Sequence, residues 1–193
     1  MTIGIGCICE RGECIVMASD MRATYGTSPI GPNDACGKVF RVGPFNLMAC
    51  VAGGMSPCHA VISQLFVRAR ALNRKKRITR EDVMLAIDES RGRELRRIYD
   101  WAMQAEWGIT FNQFALGKVP GGKLDSLLVR AGYHLLERAA FKVELIVAGF
   151  VRSQTMFFRA AGKRPLEEES SPAVYAIGSG EIAAMTGRNS GRG

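Results

Sequence analysis

Residues 2–19, TIGIGCICERGECIVMAS, decide how the chain begins to fold. The segments 3–9 and 13–19 alternate or run apolar, and the polar sequence Glu-Arg-Gly at 10–12 separates them. Apolar segments of this length around a glycine-containing turn predict two strands joined as a hairpin. The residues after this hairpin are expected to add strands, then two helices, then more strands, which indicates an α+β layered domain.

Apolar patterning assigns the later elements. Further strands are expected at 38–42, 45–51, 142–149, 155–160 and 173–177. One helix should start at Ser56-Pro57 with Ser56 as its N-cap, and a second at Thr79, where Thr-Arg-Glu-Asp resembles a capping box. The stretch between the second helix and the later strands is harder to assign. There, 111–116 is compatible with a strand, 119–123 with a turn and 124–138 with either a strand or a helix. Further along the chain, 167–171 is expected to form a polar loop before the last strand.

The composition limits the classes of protein that are compatible with this sequence. The chain has 193 residues, of which 47% are hydrophobic and 23% charged, values ordinary for one soluble domain spanning 1–193. The sequence has neither the pattern of a signal peptide nor a run of transmembrane length, so we expect a cytoplasmic protein without a membrane partner. Its six cysteines form no Cys-x-x-Cys motif and are expected to be core residues rather than metal ligands or disulfides.

The formal net charge of +8 is concentrated in a basic segment at 68–80. Such a segment is compatible with binding to nucleic acid or to an acidic partner. No aromatic residue lies among these charges, although stacking on single strands would require one. A solvated helix end and loop is therefore the favoured interpretation, and no nucleic-acid partner is predicted.

Thr2 would become the N-terminal residue if Met1 were removed. Its hydroxyl nucleophile and a free α-amine would then lie on one residue, and such an amine has a reference pKa of about 7.7–8.0. Enough of it is unprotonated near neutral pH to act as the base for its own hydroxyl. Position 2 alone carries little weight, because many proteins begin Met-Thr. Its importance comes from the motifs that follow.

The ordered set of motifs resembles the proteasome β-subunit family, including the bacterial proteasome-like peptidases of the HslV type. Thr2 falls on that family's catalytic threonine. The resemblance implies an N-terminal-nucleophile (Ntn) hydrolase fold, an αββα sandwich with two antiparallel sheets between helical layers. It spans almost the whole chain and rests on these segments: 2–12, ASDMRATYG at 18–26, KVFR at 38–41, AGG at 52–54, VELIVAG at 143–149 and AIGSG at 176–180.

The resemblance also implies roles for single residues. Thr2 Oγ would attack a peptide carbonyl, and Lys38 would place a cation beside the developing alkoxide. Asp20 would pair with Lys38, the Gly53 N–H would donate to the oxyanion, and Ser179 would orient the amine. Residues for substrate binding follow from the same mapping: Thr24 along the substrate backbone, and Ala23, Cys36, Val51, Met55 and His59 around the first specificity pocket.

Two departures from the family pattern have structural consequences. About two extra residues lie between Gly12 and Asp20, and a bulge in the second strand is expected to absorb them. Only thirteen residues follow Gly180, so the C-terminal helical layer is expected to be truncated and one sheet to expose an apolar face. A partner subunit, the stretch 107–142, or a longer form of the chain would cover that face, and the sequence leaves these three open.

The function predicted from these residues is a threonine endopeptidase that needs no cofactor. The resemblance implies a homo-oligomeric ring or stacked rings that act on proteins or peptides, with an ATP-dependent unfoldase as a candidate partner. A non-catalytic ring subunit or scaffold of the same fold is the alternative, and a basic nucleic-acid-binding protein is the third interpretation. Ring size, cleavage specificity and physiological substrates do not follow from the sequence.

Overall fold

Contacts divide the chain into two compact units. The first consists of Met1–Ser90 together with Lys142–Gly193, and the second is Arg91–Phe141. The first unit is therefore assembled from both ends of the sequence. The computed structural model describes residues 3–9, 12–20, 24–25, 28–29, 37–43, 46–72, 74–75, 78–119, 122–123, 125–151, 154–168 and 174–180.

The first unit contains two main antiparallel sheets and a separate pair of short strands, Thr24–Tyr25 and Ser28–Pro29. Its strands are β1 (Gly4–Cys9), β2 (Cys14–Ser19), β3 (Thr24–Tyr25), β4 (Ser28–Pro29), β5 (Val39–Val42), β6 (Asn46–Gly53), β9 (Val143–Val151), β10 (Gln154–Ala161), β11 (Glu167–Glu168) and β12 (Val174–Ile177). The small sheet has the order β12-β1-β2, and the large sheet has the order β11-β10-β9-β6-β5. The strands predicted within this unit are confirmed for the described residues, and Glu167 and Glu168, predicted as loop, form the edge strand β11.

The hairpin of β1 and β2 corrects one prediction. Its register runs without interruption from Gly4 opposite Ser19 to Cys9 opposite Cys14, so the expected bulge is wrong for the described residues of β2. All six residues of β2 pair one to one with those of β1. Asp20 therefore keeps its register at the far end of the hairpin.

The core of the first unit lies between the two sheets. Ile8 and Ile177 of the small sheet pack with Cys50, Ile146 and Phe157 of the large sheet. Because side chains alternate along a strand, the neighbours of the core residues in β1 and β2 lie on the opposite face. That outer face is apolar, as the sequence predicts, and Val16 on it is 51% exposed.

Helix α1 (Met55–Leu72) packs on the other face of the large sheet, against β5, β6 and β9. It begins at Met55, so the prediction of Ser56 as N-cap is wrong and Ser56 lies in the first turn. Helix α2 (Arg80–Trp107) begins where predicted, since Thr79 accepts a hydrogen bond from the Asp82 N–H and donates its own N–H to the Asp82 carboxylate. This exchange is a capping box.

The second unit holds the C-terminal part of α2 together with α3 (Phe111–Ala115), the hairpin of β7 (Lys118–Val119) and β8 (Gly122–Lys123), and α4 (Ser126–Arg138). The predicted strand at 111–116 is wrong, because Thr110 and Gln113 form a capping box that starts a helix there. For 124–138 the helix was the correct alternative. Met103, Ile109, Phe114 and Leu136 form the core of this unit.

Candidate active site

Asp20 lies where the small sheet ends, directly after β2. The register of the hairpin continues to this point, because the Asp20 N–H donates to the Ile3 carbonyl over 3.1 Å. The Ile3 N–H in turn donates to Asp20 Oδ1 over 2.8 Å. Ile3 is thus held through both its backbone polar groups. Thr2, the predicted nucleophile, lies outside the described residues.

The second oxygen of the same carboxylate binds Lys38. The Lys38 Nζ donates to Asp20 Oδ2 over 2.9 Å, and the two side chains are 11% and 24% exposed, respectively. The Lys38 backbone is fixed as well, since its carbonyl accepts from the Val51 N–H over 2.9 Å. The structure therefore brings together two of the residues predicted from the sequence, Asp20 and Lys38, beside the first residues of β1.

Cys50 lies under this pair. Burial raises the pKa of the Cys50 thiol to about 11, an effect that the Lys38 charge opposes and the Asp20 charge reinforces. The thiol is therefore protonated at neutral pH and does not compete with Asp20 for the lysine. Gly4 permits this packing, because a Cβ at that position would lie 2.5 Å from Cys50 Sγ.

Gly53 ends β6 in a conformation that requires glycine. Its φ is +117°, and a Cβ there would lie 2.0 Å from the Lys142 carbonyl oxygen. The Val51 N–H points to β5 and the Gly54 N–H to the Lys142 carbonyl on the β9 side. Since hydrogen-bonding directions alternate along an antiparallel strand, the Gly53 N–H is directed to the β5 side, beyond Lys38. A donor at this position is suited to a ligand that lies along the edge of β6.

Ser179 lies in the turn that follows β12, and its side chain is exposed. The turn is bound to the large sheet by Glu144 of β9, whose Oε2 accepts the Gly178 N–H. Sequence reasoning missed Glu144 as a site residue. The available signal was a single carboxylate within the otherwise apolar segment VELIVAGFV.

The residues predicted for substrate binding are only partly brought together. Met55 and His59 lie one turn apart on α1, directly after the glycines that end β6, and both are exposed. The His59 ring meets Phe40 edge-on, with 5.8 Å between ring centroids. Val51 is 4% exposed and lies in the interior of the unit. Thr24 pairs through β3 with Pro29, whereas the predicted pocket residues Ala23 and Cys36 lie outside the described residues.

The basic segment at 68–80 is partly neutralised by carboxylates. Arg68 pairs with Glu89, and Arg80 pairs with Glu168. Lys75 donates to Asp82 over 2.7 Å. These ion pairs reduce the positive charge that this surface offers to a phosphate backbone. They match the interpretation of the segment as a solvated helix end and loop.

Within the described ranges, His, Cys, Asp and Glu side chains form no group of three or more that could hold a metal ion. Among the described helices, none is both long enough and apolar enough to cross a membrane. A scan against models of protein families finds none that matches the chain, and a search of curated proteins finds no significant match.

Proposed function

We propose that the chain is a threonine endopeptidase whose nucleophile is Thr2, exposed by removal of Met1, on a fold of the Ntn-hydrolase type. The observation that carries the proposal is the Asp20 carboxylate, which binds the Ile3 N–H with one oxygen and the Lys38 ammonium with the other. Thr2 is joined to Ile3 by a peptide bond. The same carboxylate thus anchors the nucleophile's neighbour and the lysine.

The proposed reaction assigns a role to the Thr2 amine and hydroxyl, to Lys38 and to the Gly53 N–H. The Thr2 amine takes the hydroxyl proton as Oγ attacks the peptide carbonyl, and Lys38 stabilises the negative charge that develops on Oγ. The Gly53 N–H donates to the oxyanion of the tetrahedral intermediate. The protonated amine then gives its proton to the leaving amine, and water hydrolyses the ester that remains on Thr2.

Assembly follows as a second part of this proposal. An unselective peptidase must be kept from folded proteins, and stacked homo-oligomeric rings with the Thr2 residues inside would achieve this. An ATP-driven unfoldase would then deliver polypeptide substrates. Mass photometry of the purified protein tests the ring directly, since a monomer would contradict it.

The decisive experiment combines intact-mass measurement with a matched pair of variants. The mature protein should lack Met1, gain the mass of a β-lactone on Thr2, and cleave a fluorogenic peptide with an apolar P1 residue. Thr2→Ala should lower cleavage at least about 10³-fold by removing the nucleophile, whereas Thr2→Ser should retain measurable activity. Met1 retained in protein that cleaves the peptide, or unchanged cleavage by Thr2→Ala, would exclude the mechanism. Absence of both the adduct and cleavage would favour the non-catalytic subunit.

A further inference from the structure

We infer that Glu144 is a positioning residue of this site, because its carboxylate fixes the Ser179 turn of the small sheet against β9 of the large sheet, beside the strand that ends at Gly53. The inference rests on the proposed function, and it adds a residue for which the family resemblance gives no role. It is carried by the position of Glu144 between the sheets and by the hydrogen bond that it accepts.

Glu144 faces the space between the two sheets. In the register of the large sheet it lies opposite Ala52 of β6 and Ala161 of β10. Ile146 and Ala148, the next residues on the same side of β9, belong to the core between the sheets. Side chains alternate along a strand, so Glu144 shares their side and lies at the end of that core. Its side chain is half-buried there.

The bond to Gly178 connects the two sheets at the candidate site. The donor follows directly after β12 of the small sheet, whereas the acceptor belongs to β9, 34 residues earlier in the chain. The bond needs only an acceptor oxygen at the end of a side chain of this length, which a carboxylate or an amide can supply. Ser179 is the next residue, so this bond restricts where its backbone can lie relative to β6 and β9.

A second set of contacts places Glu144 near the end of β6, the strand that ends at Gly53. The Cys58 thiol of α1 donates to the Ala52 carbonyl over 3.4 Å, and Ala52 is the residue before Gly53. Burial raises the pKa of Cys58 to about 12, and the nearby Glu144 charge adds to this increase. The carboxylate therefore lies close to both the residue before the oxyanion donor and the turn that carries Ser179.

Two conservative variants test separately the length of the side chain at position 144 and its negative charge. Glu144→Gln keeps the length and an acceptor oxygen, whereas Glu144→Asp keeps the charge but withdraws its oxygens by one methylene. We expect Glu144→Asp to lower the rate constant for acylation of Thr2 by a β-lactone about 10- to 100-fold, as small displacements in an active site do. The inhibition constant of the lactone should change less than about threefold, and Glu144→Gln should remain near the wild-type rate constant.

Glu167→Asp is the matched control, because Glu167 is an exposed glutamate of β11 in the same sheet and outside the site. Hydrogen–deuterium exchange of a peptide that covers 174–180 gives a readout independent of catalysis. Exchange there should be faster in Glu144→Asp than in wild type, Glu144→Gln and Glu167→Asp.

The outcomes distinguish the inference from the function on which it rests. A wild-type acylation rate in Glu144→Asp, unchanged exchange at 174–180, or equal losses in Glu144→Asp and Glu167→Asp would overturn the positioning role and leave the peptidase intact. Wild-type protein that never acquires the lactone on Thr2 would overturn the peptidase, and with it any catalytic positioning by Glu144.

Discussion

Two aspartates of this chain are bound in the same way at two different places. Asp20 accepts the Lys38 ammonium on one oxygen and the Ile3 N–H on the other. Asp82 accepts the Lys75 ammonium on one oxygen and the Thr79 N–H on the other. The pair distances of 2.9 Å and 2.7 Å differ little. Local hydrogen-bond chemistry therefore does not distinguish the candidate active site from a helix cap.

The two pairs differ in what they connect and in their exposure. Asp82 bonds to groups three and seven residues away and closes the start of α2. Asp20 bonds to groups 17 and 18 residues away and joins the beginnings of β1 and β5 to the end of β2. The Lys38 side chain is 11% exposed and that of Lys75 is 53% exposed. A partly buried, non-local pair fixes a cation in one place, whereas an exposed pair is screened by water and contributes little.

The strongest test of this difference removes each lysine charge in turn. Lys38→Met should lower acylation of Thr2 by a β-lactone about 10²- to 10³-fold, because the alkoxide loses the cation that stabilises it. Lys75→Met should leave acylation unchanged. The rate constants follow from the mass increase of the intact protein over time.

Circular dichroism at the assay temperature is the control for this pair of variants, because Lys38→Met leaves a partly buried carboxylate without its lysine. The variant must retain the wild-type spectrum for its rate to be interpreted. Equal acylation by the two folded variants would make the Asp20–Lys38 pair a structural ion pair of the same kind as Asp82–Lys75.

A smaller effect is expected when the aspartates are changed. Asp20→Asn keeps an acceptor oxygen for the Ile3 N–H but no longer offers a charge to Lys38, so the lysine is held less firmly. We expect acylation to fall about 10- to 100-fold, by the loss of positioning. Asp82→Asn should acylate at the wild-type rate, and a loss as large as that of Asp20→Asn would show that α2 stability, rather than the site, controls the reaction.

The strands of the hairpin and one contact of the candidate site followed from the sequence. Alternation of apolar residues predicts β1 and β2, and the motifs predict the pairing of Asp20 with Lys38, which the structure confirms. The role proposed for Glu144 did not follow from the sequence, because it depends on which strand end of the small sheet lies against β9. That contact depends on the strand order of each sheet, which is β12-β1-β2 in the small sheet and β11-β10-β9-β6-β5 in the large sheet. Sequence patterning describes faces of single elements but not contacts between sheets.

The fold predictions failed where a local signal was overlooked or had two solutions. The sequence Thr-Phe-Asn-Gln at 110–113 carries the spacing of a capping box, and this capping box overrides the strand that the apolar residues of 111–116 indicate. Extra residues in a hairpin can form a bulge or lengthen the connection. The register of Cys9 with Cys14 excludes a bulge among the paired residues, since pairing continues to the ends of both strands.

The smallest expected effect concerns the stability contributed by Asp82 and its dependence on pH. Hydrogen bonds from Lys75 and from the Thr79 N–H lower the pKa of Asp82. A folded-state pKa below the unfolded value of about 3.9 means that the ionised carboxylate stabilises the fold above that pH, and that this contribution is lost as the pH falls through the folded-state pKa. Asp82→Asn should therefore lower the free energy of unfolding by about 1 kcal/mol or less at pH 7, as losses at a helix start do. Urea unfolding should give the same value for wild type and Asp82→Asn once the pH is low enough to protonate folded Asp82, and a deficit that persists there would mean that the carboxylate acts through its shape rather than its charge.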